Sequence, residues 1–156
     1  MHLRVVVFAG LLLIPAAPRD VCASARCTCA FDMPGADTER LTESQLHAAP
    51  AVFLGTVVRI DSTASGSVSA HFAVERRWKG APGESVAVIV REARRDPSTC
   101  EIDVRLGESY LVFAKPRGDR ALQTHRCDGT TRAAHAVDAL STLTRLGNPA
   151  PEQPGT

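Results

Sequence analysis

The residues of this sequence best suited to chemistry are its cysteines, two of which lie one residue apart. Cys27 and Cys29 flank Thr28, whereas Cys100 and Cys127 come much later in the chain. Thiols form disulfides in an oxidising compartment, bind soft metal ions, or act as nucleophiles when they are ionised. The compartment therefore decides which chemistry these side chains perform.

The N-terminal segment predicts export. Residues 1–25 begin with the positive stretch MHLR, continue with an apolar run over 5–17, and end in Ala23-Ser24-Ala25. This order is typical of a cleaved signal peptide, and the apolar run is too short to span a bilayer. We predict cleavage after Ala25 and a mature protein that is secreted or extracytoplasmic, with no membrane span. An uncleaved N-terminal anchor is the alternative.

The number of cysteines predicts two disulfides. The chain has five cysteines, and cleavage after residue 25 removes Cys22 and leaves four. An even number in a small exported domain is typical of a disulfide framework. A bond between Cys27 and Cys29 is unfavourable, because residues two apart on an extended chain are separated by roughly 6.6 Å and point in parallel. Each is expected to pair with Cys100 or Cys127, which leaves two connectivities open.

A zinc site is the alternative use of these thiols. Cys27, Cys29 and Cys127 could join His125 in a site of three sulfurs and one nitrogen. The first two cysteines lack the spacing of a zinc knuckle, and exported thiols oxidise. We therefore expect no metal of the protein's own and no cofactor.

The remaining polar residues give little catalytic signal. The sequence has no G-x-S-x-G, no H-E-x-x-H and no glycine-rich phosphate loop. His71, His125 and Asp103 could be imagined as a triad, but scattered polar residues on strands more often form solvated faces. We predict that the protein is not an enzyme.

Length and charge restrict the partners. A chain of 156 residues predicts one domain, which we place at 26–147 after the signal peptide at 1–25. The net charge is +1 and the arginines are scattered, so the basic stripe of a nucleic-acid-binding protein is missing. We expect a monomer that binds no nucleic acid.

A short helix is predicted directly after the Cys-x-Cys stretch. Thr42 and Gln45 have the spacing of a capping box, and Leu41 and Leu46 that of a hydrophobic staple. Pro50 ends this helix, because the residue before a proline avoids the helical conformation.

The middle of the chain predicts five strands. Alternation and β-branched residues place them at 51–61, 68–78, 85–92, 105–115 and 120–127. Gly55 inside the first strand indicates a bulge or a bend. Trp78 and Tyr110, at strand ends, are expected in the core. Five short strands in a small domain predict a mainly β fold, a Greek-key barrel of which the OB-fold is the leading candidate.

The C-terminal region returns to helical spacing. Apolar residues recur in a pattern typical of an amphipathic helix packed on the sheet, at Ala133, Val137, Leu140, Leu143 and Leu146. Gly147 and Pro149 end this helix. The tail at 148–156 is expected to be disordered.

On these features the chain resembles the N-terminal domain of the tissue inhibitors of metalloproteinases, which belongs to the netrin-like OB-fold group. The resemblance covers about 27–128, and short exported bacterial proteins share the pattern. The stretches that carry it are CTC at 27–29, AVFLGTVV at 51–58, ERRWKG at 75–80, GESYLVFA at 107–114 and HRC at 125–127.

The resemblance implies a disulfide pairing and an inhibitory mechanism. Cys100 follows Cys27 by 73 positions and Cys127 follows Cys29 by 98, which matches the family pattern of Cys27–Cys100 and Cys29–Cys127 bonds. In that family the α-amine and carbonyl of the first cysteine chelate the catalytic zinc of a metalloendopeptidase. Cys27 would be the chelator here, and Thr28 would enter the specificity pocket.

This chain departs from the family in three respects. Cleavage after Ala25 leaves Arg26 ahead of Cys27, so that the nitrogen of Cys27 is an amide rather than an amine. The cysteines of the family's third disulfide in this domain are missing, and after residue 128 we expect one helix and a tail in place of the family's second domain. The alternative function is a non-inhibitory module that binds a protein or a glycan outside the cytoplasm.

Overall fold

The computed structural model describes residues 28–64, 66–80, 83–91, 100–118 and 121–147. Within them the chain is mainly β, with two helices and a closed barrel of five strands. The helices are α1, Thr38–Ala48, and α2, Val137–Leu146. The barrel strands are β1, Ala51–Ser62; β2, Val68–Lys79; β3, Ser85–Arg91; β4, Ser109–Arg117; and β5, Ala121–Gln123. A two-residue strand, β6, Thr131–Arg132, pairs with β4.

Pairing of the first strand with the fourth closes the barrel. The strand order is β1-β2-β3-β5-β4, and residues 51–56 of β1 pair antiparallel with β4. The other neighbours are also antiparallel, except that β3 and β5 run parallel. The predicted mainly β barrel with a helix on either side in sequence is thereby confirmed.

The first part of β1 and the middle of β4 are buried on both faces, which places two apolar clusters back to back. Phe53, Phe72 and Tyr110 fill the barrel interior, where Phe72 meets the other two rings edge-on at centroid distances of 5.6 and 6.3 Å. On the opposite face of β4, Leu111 and Phe113 belong to the second cluster, which includes buried residues of α2. Tyr110 is fully buried as predicted, whereas Trp78 is only half-buried at the edge of the second cluster.

The Tyr110 hydroxyl is hydrogen-bonded to the residues that directly precede β4. Its hydroxyl donates to Glu108 Oε2 at 2.9 Å and accepts from the Arg105 N–H at 3.1 Å. Burial, with the neighbouring Glu108 carboxylate, raises the pKa of Tyr110 above its ordinary value. The hydroxyl therefore remains a neutral donor at physiological pH.

The N-cap of helix α1 lies five residues earlier than predicted. Asp37 is the N-cap, and its carboxylate accepts from the Arg40 N–H at 3.0 Å. The predicted cap at Thr42 is wrong: Thr42 is buried within the helix. An aspartate caps at least as well as a threonine, and apolar spacing does not choose between them. The helix ends at Ala48, just before Pro50 as expected.

The predicted apolar face of the C-terminal helix is partly wrong. Helix α2 ends before Gly147 as predicted, and Leu143 is fully buried. Val137, however, is 67 % exposed. Ala133 lies outside α2, in a 3-10 turn at Ala133–His135. Within α2, each step of three residues falls about 60° short of a full turn, so Val137 lies about 120° around the helix from Leu143.

Two strand boundaries also differ. β5 ends at Gln123, because a 3-10 turn at Arg126–Asp128 occupies what was predicted as its second half. β4 begins at Ser109 and continues through Arg117, whereas the fourth strand was predicted at 105–115. β6 was not predicted, since two residues carry no measurable period. Among the described residues, we find no helix whose length and apolar character would let it cross a bilayer.

Gly55 lies at the predicted irregularity of β1. The register against β2 shifts between Leu54 and Gly55. A Cβ on Gly55 would lie 2.7 Å from the carbonyl oxygen of Ala73, a backbone atom that cannot rotate away. Close approach of β2 therefore excludes any side chain here.

Replacing Gly55 with alanine should destabilise the barrel. We expect Gly55→Ala to lower the free energy of unfolding by about 1–3 kcal/mol, the usual range for forced overpacking. Gly147→Ala is the control, since a Cβ there meets nothing within 4 Å. Urea denaturation measures both. Equal stability of the two variants would contradict the close approach.

Candidate functional site

A disulfide ties the beginning of the described chain to its end. Cys29 and Cys127 are bonded, with their Cα atoms 4.9 Å apart and 98 residues between them. Cys29 is buried, while the preceding Thr28 is exposed. This pairing confirms the Cys29–Cys127 prediction. Cys27 lies outside the described residues, so the Cys27–Cys100 bond stays a prediction.

Asp32 adds a second, non-covalent attachment beside the disulfide. One carboxylate oxygen accepts from the Cys29 N–H at 3.1 Å, and the other accepts from the Arg126 guanidinium at 2.8 Å. The 3-10 turn at Ala30–Asp32 brings the carboxylate back toward Cys29. Asp32 therefore links the backbone of one disulfide cysteine to the turn that carries the other.

The turn around Cys127 repeats this arrangement. Asp128 accepts from the His125 N–H at 3.1 Å through one oxygen and from Lys115 Nζ at 2.6 Å through the other. Because Asp128 is largely buried, the ammonium of Lys115 compensates a carboxylate that water barely reaches. Both halves of the disulfide thus lie in turns closed by an aspartate.

Phe31 packs the N-terminal turn on the barrel. A Cβ at Gly129 would lie 3.1 Å from the Phe31 ring and 3.3 Å from the Phe113 ring. Gly129 also has a φ of 92°, in the left-handed region that favours glycine. The aromatic ring after the Cys-x-Cys stretch therefore lies where only glycine leaves room.

We call the exposed surface formed by Thr28, Ala30 and Met33 the N-terminal surface. Met33 is 56 % exposed and lines a shallow apolar groove against α1, with Leu41 on the opposite wall. A second, more polar cavity of about 300 Å³ lies between the Cys29 turn and the start of α2, and its lining includes Asp32, Arg126, His135 and Asp138. Thr28 directly precedes Cys29, which lines the charged cavity, and Ala30, which lines the apolar groove.

The alternative sites predicted from the sequence are not assembled in these residues. Cys29 and Cys127 are bonded to each other, so neither sulfur is a thiolate available to the alternative zinc site. His71 contacts Asp61 Oδ2 at 2.7 Å, and His125 lies 3.5 Å from Asp128. The two histidines of the imagined triad therefore have different carboxylate partners, neither of them Asp103.

Sequence reasoning placed Cys29, Cys127 and Thr28 at this end of the molecule but missed Asp32 and Asp128. A signal for both was readable, because each aspartate follows by three positions the residue whose N–H it accepts. No protein-family model matches this chain, and no curated protein matches it either.

Removing the Asp32 carboxylate should loosen the N-terminal turn. We expect Asp32→Ala to lower the free energy of unfolding by about 1–2 kcal/mol, because the Cys29 N–H loses its acceptor and Arg126 its partner. Urea denaturation with the disulfides intact measures this change.

The matched control is Glu39→Ala, which removes the same charge from an exposed pair with Arg145 at 3.0 Å. An exposed ion pair is screened by water and contributes little to folding stability, so Glu39→Ala should remain close to the wild type. If both variants lose the same stability, Asp32 is an ordinary surface charge and not an anchor.

Proposed function

We propose that this protein is an exported OB-fold domain, similar to the N-terminal domain of the tissue inhibitors of metalloproteinases, that inhibits zinc endopeptidases through Cys27 and Thr28. The strand order β1-β2-β3-β5-β4 with β1–β4 closure supports the OB-fold, a five-stranded Greek-key barrel. The Cys29–Cys127 bond supports the family pattern of cysteine pairing. The OB-fold and the cysteine pairing are thus proposed from the family resemblance together with the strand order and the observed disulfide.

One observation carries the inhibitory function. Cys29 is buried and fixed by its disulfide and by Asp32, while Thr28, directly before it, is exposed. A segment held so firmly at one residue presents the preceding residues with little conformational freedom. Rigid presentation lowers the entropic cost of binding a partner.

The proposed chemistry uses the open coordination position of a catalytic zinc. Such a zinc holds three protein ligands and a water molecule. The α-amine and carbonyl oxygen of Cys27 would replace that water, and the Thr28 side chain would enter the adjacent specificity pocket. Because metal ligands must be deprotonated, the amine of Cys27 has to be both free and neutral. Inhibition therefore requires that Arg26 is absent.

The test compares three forms of the oxidised protein that differ only at the N-terminus. One begins at Cys27, one at Arg26, and one at Cys27 with an acetylated α-amine. Against a panel of zinc endopeptidases with a fluorogenic peptide substrate, we expect inhibition by the first form. The other two should be weaker by at least about 100-fold, since both lack the chelating amine.

Equal inhibition by all three forms would contradict chelation by Cys27. Thr28→Gly in the Cys27 form is a further variant: it keeps the chelating amine and removes the pocket side chain, so it should change selectivity among the proteases. Intact mass after export reports which N-terminus exists naturally and whether all thiols are oxidised.

A non-inhibitory extracytoplasmic module that binds a protein or a glycan is the second candidate. The observation that favours it is the cleavage site, because processing after Ala25 leaves Arg26 in place. No inhibition by the Cys27 form across the panel would favour this function.

A further inference from the structure

The sulfur atoms of Cys29, Cys100 and Cys127 form one cluster, all within 4.8 Å of one another. Cys29 and Cys127 share a disulfide, and the Sγ atom of Cys100 lies only 3.0 Å from the Sγ atom of Cys127. Cys100 is itself disulfide-bonded in the oxidised protein. Two disulfides are therefore in contact at the site where the N-terminal stretch is attached.

The backbone keeps Cys100 in this position independently of its own disulfide. The carbonyl oxygen of Cys100 accepts from the Arg126 N–H at 2.8 Å, directly before Cys127. Further along the chain, the Tyr110 hydroxyl accepts a hydrogen bond from the Arg105 N–H. Cys100 is also buried, with 7 % of its surface exposed. Opening of its disulfide would leave its sulfur beside Cys127.

We propose that the cluster is a redox switch in which Cys100, once reduced, displaces Cys29 from Cys127 and releases the N-terminal stretch. Thiol–disulfide exchange requires a thiolate within contact of a disulfide sulfur, and the distance between Cys100 and Cys127 meets that requirement. This inference is independent of protease inhibition, because the exchange can be scored without any protease.

The switch consists of a reduction followed by a thiol–disulfide exchange. A small dithiol gives two electrons and two protons to the disulfide of Cys100, whose predicted partner is Cys27, and is itself oxidised to a disulfide. The Cys100 thiol then loses its proton to water, and the thiolate attacks Cys127 Sγ. A Cys100–Cys127 bond forms, the Cys29–Cys127 bond breaks, and the Cys29 thiolate takes a proton from water. The second step involves no net change of oxidation state.

The exchange removes the covalent attachment of the N-terminal stretch to the barrel. Before it, Cys29 is bonded to a residue 98 positions away; after it, the Cys-x-Cys stretch holds two thiols. The new bond joins residues only 27 positions apart on the barrel side. Asp32 and Phe31 then hold the stretch by non-covalent contacts alone.

The decisive experiment uses the exported full chain carrying Cys27→Ser, which leaves Cys100 without its predicted partner. The protein is incubated at pH 8, quenched with acid, labelled with N-ethylmaleimide and mapped by mass spectrometry after peptic digestion. We expect label on Cys29 in at least about one molecule in ten, with a Cys100–Cys127 bond in the same molecules. The exchange rate should rise about tenfold per pH unit below the thiol pKa.

Two variants calibrate the result. Cys27→Ser with Cys100→Ser permits only the Cys29–Cys127 bond, and Cys27→Ser with Cys29→Ser permits only Cys100–Cys127. Label confined to Cys100 in the single variant would overturn the proposal, as would a Cys29–Cys100 bond. If the single variant does not fold, partial reduction of the wild-type protein by one equivalent of dithiothreitol gives the same comparison. Thiols at Cys27 and Cys100 in its two-electron-reduced form would contradict the switch.

Discussion

The disulfide between Cys29 and Cys127 fixes where the first described residues lie on the barrel. The bond spans 98 residues, and closing a loop of that length stabilises a fold by about 4.7 kcal/mol in the chain-entropy model. Asp32 reinforces it by accepting from the Cys29 N–H and from Arg126. The N-terminal surface therefore inherits its position from the barrel rather than from local propensity.

The barrel in turn holds the Cys127 turn through buried threonines on either side of it. The Thr124 hydroxyl donates to the carbonyl oxygen of Phe113 at 2.6 Å, and the Thr130 hydroxyl accepts from the Phe113 N–H at 2.8 Å. These side chains replace ladder partners at a point where β5 has already ended. Since both threonines are almost completely buried, each hydrogen bond would be costly to leave unmade.

The sequence predicted the features that rest on period and spacing. Alternation identified the strands, and a 98-residue separation matching a family pattern identified the Cys29–Cys127 bond. The predictions from the sequence failed where two nearby residues are equally suited to the same local role. Asp37 and Thr42 are both acceptable caps, and only burial of Thr42 distinguishes them. Asp32 and Asp128 were missed although each lies three positions after the residue whose N–H it accepts, because that spacing does not show which distant cation the other carboxylate oxygen meets.

We expect the Cys29–Cys127 bond and Asp32 to hold the residues around Thr28 rigidly. Backbone ¹⁵N order parameters of the oxidised protein in solution test this most directly. We predict values at residues 28–32 equal to those of the barrel strands, about 0.85. Values below about 0.6 at Thr28 and Cys29 would mean that the stretch moves freely despite its bond, and they would contradict the account.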